Sequence, residues 1–285
     1  MSELPAPIFV CGATTSGKTC HALRLAEELG GEIINADAYQ LFRGIEILSA
    51  APSEEELEKF PHHLFSKIAP GTHCNAGQYI GMAAPVISEI QSRGRVPIVV
   101  GGSGLYLKFL THGPSPLPRA DEQLRAEMDS RSLDDLLAEL ERLDPTEAAQ
   151  VSRSNRRYVS RSLEICLLSG GKVSELRDGW ARKTMALDAS LKGVWLMRER
   201  AELHHRIALR TKQMLAEGAI EEVRALDGIG GTWEKAIGVK EIRRLLSGEI
   251  SLAQCQELIV FATRQYAKRQ ETWFRREKWL QEIHL

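Results

Sequence analysis

Eight residues near the start of the chain, Gly12-Ala13-Thr14-Thr15-Ser16-Gly17-Lys18-Thr19, constrain it more than any other stretch. They follow the apolar run Ile8-Phe9-Val10-Cys11. They precede a segment in which Ala22, Leu25, Ala26 and Leu29 recur at helical spacing before Gly30-Gly31. A strand, a loop of pattern G-x-x-x-x-G-K-T and a helix together form a phosphate cradle. The glycines let backbone N–H groups turn inward, and the helix adds its positive end. Gly12, Thr14, Thr15, Ser16, Gly17 and Lys18 are therefore candidate ligands of a diphosphate or triphosphate. The Thr19 hydroxyl is the candidate ligand of Mg²⁺.

The rest of the pattern extends this start into an α/β protein. Residues 32–37 (EIINAD) read as a second buried strand, and residues 96–110 (VPIVVGGSGLYLKFL) as a third strand, a glycine turn and a helix. Between them Tyr79, Met82, Ala83, Val86, Ile87 and Ile90 share a helix face, and residues 51–60 form a short acidic helix. Alternation of strand and helix predicts a parallel sheet with helices on both faces, the core of the P-loop NTPase-like folds. Residues 112–119 (HGPSPLPR) are a linker by their prolines and glycine. From there to about 190 only helices are predicted, two of them opened by the capping boxes Ser132-Leu-Asp-Asp and Asp144-Pro-Thr-Glu. Residues 193–197 (GVWLM) return to the sheet, and two long basic helices follow. The expected organisation is a core of residues 1–115 and 190–285 with an all-helical insertion at 116–189.

Composition narrows the function only a little. A net charge of -1 over 285 residues gives no global field for nucleic acid, so any such binding needs local patches. The five cysteines form no C-x-x-C pair, and no apolar run is long enough to span a bilayer. These features predict a cytoplasmic protein with reduced thiols and no membrane contact.

The cradle alone leaves the reaction open among moving a phosphoryl group, hydrolysing one and discarding a diphosphate. The third strand ends in VVGGSGLY, without the carboxylate that motor and switch ATPases usually place there. The nearest acid is Asp37, at the carboxyl end of the second strand, where open parallel sheets face their ligand. A kinase would also use an acid at that position.

Several stretches in order then carry a resemblance: GATTSGKT, INADAYQLFRGIEILSAAP, PHHLF, GRVPIVVGGSGLYLKFL, SPLPRADEQLR, RSLEI, RIALRTKQMLAEGAIEEV, AIGVKEI and ATRQYAKRQETWFR. Together they closely resemble the tRNA dimethylallyltransferases, over nearly the whole chain. The resemblance implies transfer of a dimethylallyl group from dimethylallyl diphosphate to N6 of the adenine 3′ of the anticodon, in tRNAs reading U-initial codons. It implies Asp37 as general base, with Lys18, Arg210 and the hydroxyl of Ser103 in the catalytic set. By the same resemblance Arg206 and Arg210, the two arginines of the R-I-x-x-R motif, are expected to face the diphosphate, and Asp37, Ala38, Tyr39, Gln40 and Ser103 to lie against the target adenine. Arg125, Arg157 and Arg161 in the insertion, and Lys235, Gly238 and Lys240, resemble tRNA-contacting positions. The expected cofactor is Mg²⁺, and the expected partner is the anticodon stem-loop of tRNA, bound by a monomer. The C-terminal stretch interleaves Arg264, Lys268, Arg269, Arg275 and Arg276 with Tyr266, Trp273, Phe274 and Trp279. Its aromatics read as mostly core and its cations as partly RNA-facing. His62 and His63 read as structural, since no partner cluster for a metal accompanies them.

The chain departs from the family pattern at Ala13, Ala38, Ala51 and Val239, where proline, serine, lysine and tyrosine are usual. Lys18, Thr19, Asp37 and Arg210 are unaffected. The competing readings are an adenylate isopentenyltransferase, a P-loop small-molecule kinase and a non-catalytic nucleotide- or RNA-binding adaptor. A small acceptor needs neither the insertion nor the basic C-terminal helices, and an adaptor needs no complete acid and phosphate set.

Overall fold

The computed structural model describes residues 4–114 and 116–285. They divide into two compact units, Met1–Thr111 with Ser190–Leu285, and His112–Ala189.

The first unit is built on six parallel strands: β1 (Ile8–Gly12), β2 (Glu32–Asn35), β3 (His62–His63), β4 (Pro97–Gly101), β5 (Lys192–Met197) and β6 (Leu280–His284), in the order β3-β2-β4-β1-β5-β6. Four of these follow from the sequence pattern. β3 is too short for any periodicity to register. β6 (Leu-Gln-Glu-Ile-His) is largely polar, as suits a strand at the rim of a sheet.

Alternate residues of the central strands feed two cores. Phe9, Cys11, Ile34 and Val99 belong to one, and Val10, Ile33, Ile98 and Val100 to the other. This is the period-two division expected of a sheet covered on both faces.

Helix α1 (Lys18–Leu29) follows β1 through the glycine loop and ends at Gly30. Ala22 and Ala26 are buried as expected, while Leu29 is exposed. Helices α2 (Glu46–Ser49), α3 (Glu54–Lys59), α4 (Ala76–Ser92) and α5 (Gly104–His112) follow in order. Reciprocal capping boxes open α3 at Ser53 and Glu56 and α4 at Asn75 and Gln78, satisfying two otherwise orphaned N–H groups in each.

The second unit contains α6 (Glu122–Asp129), α7 (Leu133–Leu143), α8 (Pro145–Gln150), α9 (Arg156–Ser169) and α10 (Val173–Asp188) around its own core of Leu136, Leu140, Val159, Leu163 and Val173. The two expected capping boxes form only by half. Ser132 and Asp144 accept the N–H groups of Asp135 and Glu147. Neither acid reaches back, because Asp135 accepts the Ser132 hydroxyl and Glu147 is held by Arg177 and Ser162. Of the predicted linker, Ser115 lies outside the described residues.

Back in the first unit come α11 (Arg200–Glu217), α12 (Ala219–Ala225), α13 (Val239–Leu246) and α14 (Leu252–Phe274). On α14 the buried positions Cys255, Ile259, Ala267, Gln270 and Phe274 make one stripe. The C-terminal aromatics pack inward as expected, and most of the cations among them face solvent. Phe274 is buried, and Trp273 sits edge-on to it at 5.2 Å. Trp279 packs on Phe9 at 5.4 Å. Lys268, Arg269, Arg275 and Arg276 are exposed, whereas Arg264 is half-buried. No helix among the described residues is long and apolar enough to cross a membrane.

Candidate active site

The carboxyl ends of three adjacent strands meet at one cavity of about 490 Å³, which collects Thr14, Thr15, Gly17, Lys18 and Thr19 from the glycine loop, Asp37 from beyond β2, and Arg206 and Arg210 from α11. Residues almost two hundred positions apart in sequence thus converge here because β1 lies centrally in the sheet and α11 crosses its loop.

Contacts between loop and helix are direct. Arg210 donates to the Thr14 hydroxyl at 2.8 Å, and Arg206 to the Thr15 carbonyl at 3.0 Å. Arg198, which the sequence reading did not single out, donates to the Ser16 carbonyl at 3.0 Å. Lys18 folds over the loop and donates to the Ala13 carbonyl at 2.7 Å. Thr15 holds a left-handed φ of 61°, a conformation that costs a β-branched residue energy and often marks a functional loop. The hydroxyls of Thr15 and Ser16 are buried without a hydrogen-bond partner. Buried hydroxyls rarely go unsatisfied, so a ligand rich in acceptor oxygens suits this loop.

The electrostatics of the cavity are cationic with one acid. Burial pushes the Lys18 ammonium down to about 8, with Asp37 opposing the shift and Arg210 adding to it. Burial likewise lowers Arg210 from its ordinary value, again opposed by Asp37. A dianionic ligand would reverse both penalties.

Asp37 is held by an Asx arrangement. Its N–H donates to the Asn35 side chain at 2.7 Å, and its carboxylate accepts the Tyr39 N–H at 3.1 Å. Asn35 is itself fixed, donating to the carbonyls of Asp37 and Leu64, both at 3.0 Å. The Ser103 hydroxyl accepts the Ala38 N–H at 2.9 Å, which ties the end of β4 to the segment after β2. Gln40 does not present its amide freely. It donates to the carbonyls of Ser49 at 3.2 Å and Ala50 at 2.6 Å.

Two further residues shape the site. Gln270 of α14 is buried; its carbonyl accepts the Thr14 N–H, and its amide donates to the Gly102 carbonyl, each at 2.9 Å. A Cβ on Gly102 would lie 2.2 Å from that amide nitrogen, and one on Gly101 2.2 Å from the Ala36 backbone. The paired glycines are thus required by close approach. Glu222 of α12 accepts the N–H groups of Ile47 and Leu48 at 2.8 and 2.9 Å, fixing the start of α2. Gln270 carried a usable signal, being a polar residue on an otherwise apolar helix stripe. Glu222 and Arg198 carried none.

The large cavity shares Thr14, Thr15, Asp37, Ser49 and Arg210 with a smaller one of about 70 Å³, bounded beyond them by apolar side chains, by Thr211 and Thr263, and by Tyr39 and Tyr266. Burial raises the Tyr266 hydroxyl well above its ordinary value. Lys235 is exposed in the turn before α13 and Lys240 in that helix's first turn, and Gly238 caps the helix in a left-handed conformation.

Among the described residues no group of three or more His, Cys, Asp or Glu is arranged to hold a metal ion. A hard cation that keeps most of its ligands from water and diphosphate needs only one or two protein oxygens. Thr19, on this cavity, fits that donor set. His62 Nδ1 bonds the Phe60 carbonyl while its buried Nε2, on the wall of this cavity, has no hydrogen-bond partner, and His63 bonds Glu32, which also pairs with Arg93.

In the second unit, Arg125, Arg157 and Arg161 line one cavity of about 590 Å³ together with Arg156 and Glu164. Two of the three are already engaged. Arg125 bonds Glu164 at 3.0 Å and Arg161 bonds it at 2.5 Å, and the Glu164 side chain is fully buried. Burial pushes the Glu164 carboxyl up, but Arg161, the Asp121 N–H and Arg125 outweigh it and leave the group below the ordinary carboxylate value. Arg157 is exposed.

Residues 40–277 match the family model described as IPP transferase. A tRNA dimethylallyltransferase of Akkermansia muciniphila is 44% identical over 276 residues, covering 97% of this chain and 92% of its own. One from Geobacter sulfurreducens is 40% identical, with 96% and 91% covered. The crystal structure of a full-length tRNA isopentenylpyrophosphate transferase from Bacillus halodurans superposes with a TM-score of 0.70 at 34% identity, covering 98% of this chain and 89% of that one. A eukaryotic dimethylallyltransferase caught acting on tRNA gives 0.81 at 27% identity, covering 98% and 74%.

Proposed function

This chain belongs to the IPP transferase family, and from that premise we propose that it transfers a dimethylallyl group from dimethylallyl diphosphate to N6 of the adenine 3′ of the anticodon, in tRNAs reading U-initial codons. The product is N6-isopentenyladenosine. The observation that carries this reading is the single cavity in which a carboxylate, Asp37, faces a phosphate loop and two helix arginines, and from which a small apolar cavity opens beside that carboxylate.

The chemistry follows from charge. The exocyclic amine attacks the first carbon of the allyl chain, a new N–C bond forms, and the C–O bond to the diphosphate breaks. The amine becomes cationic as it bonds, and the Asp37 carboxylate takes its proton. On the other side negative charge grows on the departing oxygens. Lys18, Arg210 and Arg206, which line the same cavity, would meet those oxygens together with the loop amides, and such donors supply most of the stabilisation in reactions of this kind. Thr19 would hold Mg²⁺ with the diphosphate, and that ion would add positive charge against the same oxygens. Ser103 positions Ala38, and with it the segment that meets the purine.

The adenine must leave its stack to reach Asp37, at a cost of about a few kcal/mol. The exposed Arg157 of the helical insertion, Lys235 and Lys240 are suited to the phosphate backbone that repays it. The insertion, residues 116–189 in this reading, grips the anticodon stem-loop, and the enzyme works in the cytoplasm as a monomer.

One assay tests the reading. The chain is incubated with dimethylallyl diphosphate, Mg²⁺ and either an anticodon stem-loop or AMP. Transfer to the stem-loop alone is expected. Transfer to AMP alone would mean an adenylate isopentenyltransferase, and ATP consumption without prenyl transfer would mean a kinase.

A further inference from the structure

Prenyl transfer requires the carbon chain of the donor to lie somewhere, and the following inference rests on that reading. With the diphosphate on the loop, the first allyl carbon must sit where the two cavities meet, between Asp37 and Arg210. From there a largely apolar space opens away from the loop, the cavity of about 70 Å³.

Its far wall is built from Leu48 of α2, Met214 of α11 and Ile259 of α14. All three are buried. They converge on one point: a Cβ added to Gly238 would lie 2.8 Å from Leu48 Cδ1, 3.6 Å from Ile259 Cδ1 and 3.8 Å from Met214 Cε. Gly238, with a φ of 106°, therefore backs the wall from outside, where no larger residue fits. The hydroxyls nearest the wall are turned onto their own helices. Thr211 donates to the Ile207 carbonyl at 2.8 Å and Thr263 to the Ile259 carbonyl at 2.7 Å.

This wall cannot recede easily. The Glu222 carboxylate holds the N–H groups of Ile47 and Leu48, and Gln40 holds the carbonyls of Ser49 and Ala50, so the turn carrying Leu48 is fixed at both ends. A purine edge would need hydrogen-bond partners that Leu48, Met214 and Ile259 do not have. A branched hydrocarbon end needs none.

We propose that Leu48, Met214 and Ile259 are the chain-length stop of this enzyme, receiving the two terminal methyl groups of a five-carbon allyl donor and rejecting longer ones. The same geometry gives Gly238 a steric role behind the stop.

Initial rates of transfer to an anticodon stem-loop distinguish the outcomes. The donors are dimethylallyl diphosphate, its homologue 3-methylpent-2-enyl diphosphate, longer by one methylene, and geranyl diphosphate. One surplus methylene in a closed apolar pocket lowers kcat/KM by about 10- to 200-fold, so the wild-type chain should disfavour the six-carbon donor by that factor and geranyl diphosphate by more. Met214→Ala should raise the six-carbon to five-carbon ratio about 10-fold, while the KM for the stem-loop stays put. Ile259→Val, which removes one methyl and is the safer variant for folding, should move the ratio in the same direction by a smaller factor. The proposal is overturned if the wild type uses both short donors equally. It is also overturned if the variants leave the ratio unchanged and raise the KM for the stem-loop, which would make this cavity the purine site. A wild-type chain that transfers no dimethylallyl group at all would instead remove the prenyl-transfer reading on which the stop depends.

Discussion

Gln270 and Thr14 lie 256 residues apart, yet the Gln270 carbonyl accepts the Thr14 N–H at 2.9 Å. Through the same side chain the phosphate loop is joined to the Gly102 turn after β4. The C-terminal helix thus sets the shape of a loop whose sequence motif lies wholly near the other end of the chain.

Replacing Gln270 by Leu leaves the Thr14 N–H and the Gly102 carbonyl buried and unpaired. A loss of about 2 kcal/mol in unfolding free energy is expected, measured by urea denaturation. The KM for dimethylallyl diphosphate should rise more than that for the stem-loop. If stability falls and the two KM values move together, Gln270 supports the fold without positioning the loop. Gln270→Glu keeps the acceptor for Thr14 but opposes a carboxylate to the Gly102 carbonyl, so it should rescue only part of the loss.

Asp37→Ala removes the proton acceptor and leaves the cationic wall intact. Single-turnover transfer should slow by about 10²- to 10⁴-fold, with stem-loop affinity nearly kept. Collapse of affinity with the single-turnover rate preserved would show that Asp37 binds rather than reacts.

Lys18 makes a prediction about protons. Burial lowers it to about 8 in the free protein, and a bound diphosphate favours its charged form. Binding of dimethylallyl diphosphate at pH 8.5 should therefore take up protons, detected by calorimetry in two buffers of different ionisation enthalpy. Lys18→Met should abolish the uptake. In the absence of ligand the folded chain holds fewer protons on this group than the unfolded one between about pH 8 and the ordinary lysine value of 10.5. Its contribution to stability therefore rises with pH across that window and is lost as pH falls through it.

In the helical insertion, Arg157 and Glu164 should separate cleanly. Arg157→Ala removes an exposed cation, so tRNA binding should weaken for all sequences and the salt slope should fall by about one. Glu164→Ala strips the buried partner from Arg125 and Arg161 and should lower the stability of residues 112–189, seen as faster hydrogen exchange there. Equal salt slopes for wild type and Arg157→Ala would take Arg157 off the RNA path.

The parts of this fold legible in the sequence are those written in local spacing. The phosphate loop announces itself because its glycines, lysine and threonine must sit at fixed intervals. The central strands do so because both faces are buried and the apolar runs are unbroken. β3 and β6 escaped because a two-residue strand has no period and a polar edge strand resembles a loop. The roles of Arg125 and Arg161 were only half legible. Both resemble tRNA-contacting positions in the sequence, but Glu164 lies among Leu163 and Ile165 on a buried helix, and a carboxylate there demands cations of its own. Glu222 and Arg198 could not have been found, since their meaning comes entirely from partners in distant elements.

The sheet order has a consequence for how the enzyme is made. The loop is translated well before its partners: β1 gains its neighbour β5 only after residue 197, and Arg210 and Gln270 emerge later still. A nascent chain halted on the ribosome before Gln270 therefore carries the motif without the scaffold that shapes it. Donor affinity should therefore appear abruptly, and only once Gln270 has emerged and folded against the loop.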